Sequence, residues 1–213
     1  MTRLTPMLLL TVPMCLWAHS SAAITAGQVD DFQDGTTQGW ISGSSNPNPP
    51  TNLADSGPAG LGDHVLQVTA SGVSGAGGKL VFFNEAQWLG DYNAAGVTAI
   101  RFDAKNAGSN NVSLGFDIND GSALTLDTGT ITPGSGWDTY EIPLTSFITG
   151  STSTLDNVSQ IRMRHMSGGS FISGTATQVQ IDNITAVPEP SALAVMGVGL
   201  CVMLRRPRRA EWR

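Results

Sequence analysis

The side chains here that could do chemistry are mostly carboxylates. Asp30 and Asp31 stand in Val29-Asp30-Asp31-Phe32-Gln33-Asp34-Gly35, and Asp182 in Gln180-Ile181-Asp182-Asn183-Ile184. Another acidic stretch, Asp117-Ile118-Asn119-Asp120-Gly121, falls one residue short of EF-hand spacing, and Thr128 replaces the bidentate Glu. It reads as a hairpin turn with Asp120-Gly121 at the positive-φ positions. Sugars are held by an aromatic face together with amides, carboxylates or Arg on the hydroxyls. Trp88 and Tyr92, in the non-periodic segment 84–93, are the aromatic candidates. Phe102, Leu114, Phe116 and Ile118 share an apolar phase that leaves Arg101, Asp103, Lys105, Ser113, Asp117 and Asn119 opposite. The expected ligand-binding set is therefore Trp88, Tyr92, Arg101, Asp103, Asp117 and Asn119, with Trp40 and Trp137 in the core. The same polar face also reads as the solvated side of an antiparallel sheet.

Catalytic signatures are thin. Beyond the first 23 residues the histidines are His64 and His165, and the sequence has neither a Gly-x-Ser-x-Gly elbow nor a His-Glu-x-x-His motif. No catalytic residue is assigned and an enzyme is not expected, although two carboxylates can make a glycosidase. The two cysteines, Cys15 and Cys201, lie in the terminal apolar runs, which excludes a disulfide framework or a thiolate metal site between them. Residues 72–78 are Gly-rich, but Val73 and Leu80 break the phosphate-loop pattern. Residues 24–187 carry fifteen acidic side chains against five basic ones, a net −10 that argues against nucleic acid as a partner.

Period-2 alternation punctuated by turn residues supplies the elements that must position these groups. Strands are predicted over 64–69, 79–83, 97–105, 112–119, 123–127, 137–144, 158–164 and 179–185, with 42–62 a long surface loop. Charged residues make up only 13% of the 213-residue chain, too few for a helical bundle. The fold class is all-β: an antiparallel β-sandwich of jelly-roll type with an N-terminal signal peptide and a C-terminal single transmembrane helix.

The first 23 residues run from Arg3 through an apolar core to Ser20-Ser21-Ala22-Ala23, the pattern of a signal peptide, with the sandwich over 24–186. At the other end, Val187-Pro188-Glu189-Pro190 precedes thirteen apolar residues, 192–204, and then Arg205-Arg206-Pro207-Arg208-Arg209. This run is short of the ~20 residues that span a bilayer comfortably. Residues 187–213 resemble the PEP-CTERM sorting signal. That resemblance implies transient tethering in the inner membrane, processing by an exosortase near Val187-Pro188-Glu189-Pro190, and export to the cell surface or extracellular matrix of a Gram-negative bacterium that makes exopolysaccharide.

The bracket of Asp30-Asp31-Phe32 and Asp182 is similar to that of jelly-roll carbohydrate-binding modules and galactose-binding-like domains. There the first and last strands lie together and commonly hold a structural calcium. The resemblance implies Ca2+ on Asp31 and Asp182, more weakly on Asp30, and extracellular polysaccharide as the partner of a non-catalytic module. A structural matrix protein without a ligand and a glycan-active enzyme are the alternatives.

Overall fold

The computed structural model describes residues 23–190 apart from 44, 120, 121, 146, 168 and 169. The expected transmembrane helix and all but Ala23 of the expected signal peptide lie outside the described residues, and so does the Asp120-Gly121 turn pair. Among the described residues no helix is long and apolar enough to cross a membrane.

Among the described residues thirteen strands form two antiparallel sheets. They are β1 (Val29–Asp30), β2 (Trp40–Ile41), β3 (Thr51–Leu53), β4 (Val65–Ser71), β5 (Val81–Asn84), β6 (Val97–Asn106), β7 (Leu114–Ile118), β8 (Ala123–Asp127), β9 (Asp138–Pro143), β10 (Phe147–Thr149), β11 (Ile161–Ser167), β12 (Ser170–Phe171) and β13 (Ala176–Pro188). The first sheet has the order β3-β4-β13-β6-β9, with β1 also on β13. The second has the order β10-β8-β7-β11-β5-β2, with β12 on β11. The all-β sandwich expected from the alternation is what the chain forms.

Alternation sends one side of each strand inward. Leu66, Val68, Ile100, Phe102 and Ile181 from the first sheet meet Phe82, Leu114, Phe116, Ile118 and Met163 from the second, all buried. Phe102 and Phe116 join the layers in an edge contact at 5.9 Å. The long loop expected over 42–62 contains β3, a three-residue edge strand beside β4 that is too short to show a period. One short helix, α1 (Tyr92–Ala95), starts where Asp91 accepts a bond from the Ala94 amide at 2.7 Å. It ends at Gly96, whose φ of 69° is the left-handed conformation glycine adopts freely.

Candidate functional site

The outer face of the second sheet carries a built polar centre. On β11, Ile161, Met163 and His165 point inward, so Arg162 and Arg164 point outward. On β7 the same phase puts Asp117 outward, directly across from Arg162. Arg162 donates to Asp117 Oδ2 from Nε at 2.9 Å and from Nη2 at 2.6 Å. Arg164 Nε lies 2.7 Å from the same oxygen as an ion pair. The Asp117 side chain is fully buried, while those of Arg162 and Arg164 are 21% and 11% exposed. Two guanidiniums compensate one desolvated carboxylate, and Asp117 Oδ1 is left without a hydrogen-bond partner.

Apolar groups continue the face. Phe171 of β12 lies under two cations, Arg164 at 5.0 Å and Lys79 at 4.8 Å from the ring centroid. Met166 crosses Gly115, where any Cβ would collide with its sulfur, and covers that end of the sheet. On the other side Val81 and Phe83 of β5 are half-buried, and Ile41 of β2 is 45% exposed. The loop carrying Gly43, Asn46, Pro49 and Pro50 stands over Ile41 and Phe83 and encloses about 540 Å³. An adjoining hollow of about 550 Å³ is lined by Val81, Phe83, Glu85, Asn119, Gln160 and Arg162. Gly43, Phe83 and Glu85 belong to both, so the two form one open groove. Gln160 Nε2 donates to Glu85 at 2.5 Å, and its buried Oε1 has no partner. A groove of this size with an apolar floor and convergent polar groups suits an elongated polar ligand.

The residues expected to bind a ligand do not assemble into one site. Trp88 and Tyr92 are fully buried and cannot stack on a sugar. The segment 84–93 lacks a period because it folds as a loop and a helical turn that plug one end of the core. Trp88 Nε1 donates to Asp30 Oδ2 at 2.6 Å, and the Tyr92 hydroxyl donates to the Trp88 carbonyl at 2.9 Å. Arg101 and Asp103 lie on β6, in the first sheet, whereas Asp117 lies on β7, in the second. Their polar phases therefore face away from each other, across the whole sandwich. Asn119 does reach the groove, at φ 47°, and its side chain ties down Asn157 and Ser159. Trp137, expected in the core, is half-buried instead: its Nε1 donates to the Ser56 carbonyl at 3.1 Å and Lys105 covers its ring.

Arg162, Arg164, Val81, Phe83, Ile41 and Phe171 were not among the expected site residues. Two signals in the chain mark them. The unbroken run Leu80-Val81-Phe82-Phe83 makes both faces of its strand apolar, and Ile161 to His165 puts Arg at both outward positions.

The carboxylates near the chain ends form a separate cluster. Asp182 is 1% exposed, and burial raises its pKa from the ordinary 3.8 to about 7. The Asn183 amide opposes that rise, while Asp63, Asp103 and Asp31 add to it by repulsion. Asp182 faces Asp103 across the β13–β6 ladder where the register shifts and Asn183 takes a φ of 50°. The Asn183 side chain donates to Asp103 at 2.8 Å and to Asp182 at 3.2 Å, and Gln33 donates to Asp63 at 2.6 Å. This donor set is all oxygen and mutually repulsive, which fits a hard cation. Among the described residues no three acidic or His side chains are spaced to hold a metal by themselves, so carbonyls and water would complete the shell. Asp30 belongs to the core instead. Its Oδ2 accepts from the Trp40 and Trp88 indoles at 2.7 and 2.6 Å, and burial raises its pKa.

Comparison with known proteins bears on both halves of the chain. Residues 186–209 match the PEP-CTERM protein-sorting motif. The family 11 carbohydrate-binding module from Clostridium thermocellum, solved with a beta-1,3-1,4-mixed-linked tetrasaccharide, has a TM-score of 0.50 at 21% identity, covering 78% of this chain and 97% of that one. An exo-beta-agarase has a TM-score of 0.56 at 12% identity, covering 78% of this chain but 25% of its own. A Clostridium thermocellum endo-1,4-beta-D-xylanase solved with xylohexaose has a TM-score of 0.51 at 13% identity, covering 79% of this chain and 30% of its own. These similarities establish the jelly-roll sandwich of carbohydrate-binding modules as the fold. No curated protein matches the chain in sequence.

Proposed function

We propose that this chain is an exported, non-catalytic polysaccharide-binding module that holds glycan in the groove on the outer face of the second sheet. The observation that carries the reading is the groove itself. Phe83, Val81 and Ile41 give it an apolar floor, and Arg162, Asn119 and Gln160 supply hydrogen-bonding groups beside it. Apolar C–H faces of a sugar pack on the floor, while the hydroxyls take the polar groups. Asp117, buried beneath the arginines, fixes the Arg162 guanidinium at the wall of the groove.

The sorting motif supports export and processing by an exosortase, with transient retention in the inner membrane and delivery to the cell surface or extracellular matrix. In the same reading Asp31 and Asp182 hold a structural Ca2+ that ties β1 to β13; it lies outside the groove and supplies stability. The test is titration of purified residues 24–190 against a polysaccharide panel that includes the producer's own matrix, with calcium and then with chelator. Saturable binding to a member of the panel is expected. Absence of binding by a domain shown to be folded would overturn the binding reading in favour of a structural matrix protein.

A further inference from the structure

The sorting motif begins inside the folded sandwich. Its first residues are the end of β13, which runs to Pro188. Upstream, β13 is held along both edges. β6 takes one edge, and β4 takes the other over Ala176–Ile181. β1 then follows at Ile184 and Thr185. Ala186 closes this doubly held part, accepting from Gly27 N at 2.8 Å and donating to the Gln28 carbonyl at 2.9 Å, with its side chain fully buried.

Past Ala186 the support changes. Val187 and Pro188 pair with Ala99 and Val97 of β6, and the register shifts between them. The Glu189 amide donates to the Gly96 carbonyl at 2.8 Å, and Thr98 Oγ1 donates to the Val187 carbonyl at 3.4 Å. Pro188 has no N–H to give, Val187 is half-buried, and Pro188 to Pro190 are exposed. Detaching these residues gives up a single irregular ladder and little core, whereas detaching Ala186 opens the sheet on both sides.

We infer that Val187–Pro190 is a detachable strand end: the enzyme that processes the signal lifts it from β6 and cuts on the tail side of Ala186. This rests on the reading of the motif as a processed signal. Proteases and transpeptidases bind an extended backbone, so the lifted end exchanges the ladder of β6 for that of the enzyme. The cut breaks one peptide C–N bond. The acyl carbon passes to water, or to an amine or hydroxyl acceptor, and the released nitrogen takes the proton. The doubly held part of β13 stays with the mature sandwich.

The experiment uses the full chain in cells that process it. Ala99→Cys and Val187→Cys sit directly opposite across the ladder, where a disulfide fits, and would lock the end in place. The oxidised double variant is expected to accumulate as uncut precursor, with the mature form restored by reductant and present in each single variant. Mass spectrometry of the wild-type product should find a C-terminus at Ala186 or later. Processing of the locked variant at the wild-type rate, or a mature terminus upstream of Ala186, overturns the inference and leaves the processing reading intact. A wild-type chain that is never cut overturns both.

Discussion

Replacing Asp182 by Asn should make the calcium-free protein more stable at neutral pH. Burial and three neighbouring carboxylates raise the Asp182 pKa from 3.8 to about 7 in the folded chain. The folded state therefore holds a proton that the unfolded state has lost, across the window from about pH 4 to about pH 7. Stability from this group is complete below the unfolded pKa and is lost as the pH rises through the folded one. Three pH units correspond to at most about 4 kcal/mol, and screening by nearby water brings the expected loss to about 2 kcal/mol. Urea unfolding in chelator, followed from about pH 4 to about pH 8, reads the difference between wild type and Asp182→Asn directly. The variant should be level with wild type in acid and more stable at neutral pH. Excess calcium should stabilise the wild type at neutral pH and do much less for the variant. A variant that is less stable than wild type at neutral pH in chelator would refute the electrostatic argument. An equal calcium response in both would remove Asp182 from the cation site.

Other perturbations separate the groove from the core and from the tail. Asp117→Asn leaves two partly buried guanidiniums without their counter-charge and should cost about 3–5 kcal/mol in urea unfolding; a loss below about 1 kcal/mol would show that the cluster is not structurally coupled. Trp88→Phe removes the indole bond to Asp30 and should destabilise by about 1–3 kcal/mol while leaving glycan affinity unchanged, whereas a selective loss of affinity would restore Trp88 as a ligand residue. Replacing Pro188, Glu189 and Pro190 by Ala should leave an unprocessed, membrane-retained precursor in fractionated cells, and normal processing would remove the sorting reading.

The alternation that makes the strands could be read directly from the sequence, but their assignment to sheets could not. β6 and β7 follow one another in the chain and share an apolar phase, yet they lie in opposite sheets. Hence Arg101 and Asp103 cannot join Asp117 in one site. Nothing local in 97–119 encodes which long-range partner each strand takes: β6 pairs with β13, and β7 with β11. Trp88 and Tyr92 were misplaced because an aperiodic segment does not say whether it faces water or closes a core; the buried partners Asp30 and Trp40 are distant in sequence. By contrast, the approach of the first and last strands was implied by the resemblance of the Asp30-Asp31-Phe32 and Asp182 bracket to carbohydrate-binding modules, and β1 does pair with β13.

The most direct test of the groove is a paired titration of Phe83→Ala and Arg101→Ala against a polysaccharide that binds the wild type. Phe83 lies on the floor of the groove, and Arg101 is exposed on the far side of the sandwich. The account predicts that Phe83→Ala weakens binding by about tenfold or more, as the loss of a ring contact of about 1.5 kcal/mol implies, and that Arg101→Ala binds as the wild type does. Unchanged affinity in Phe83→Ala together with a loss in Arg101→Ala would place the ligand on the first sheet and contradict the central claim.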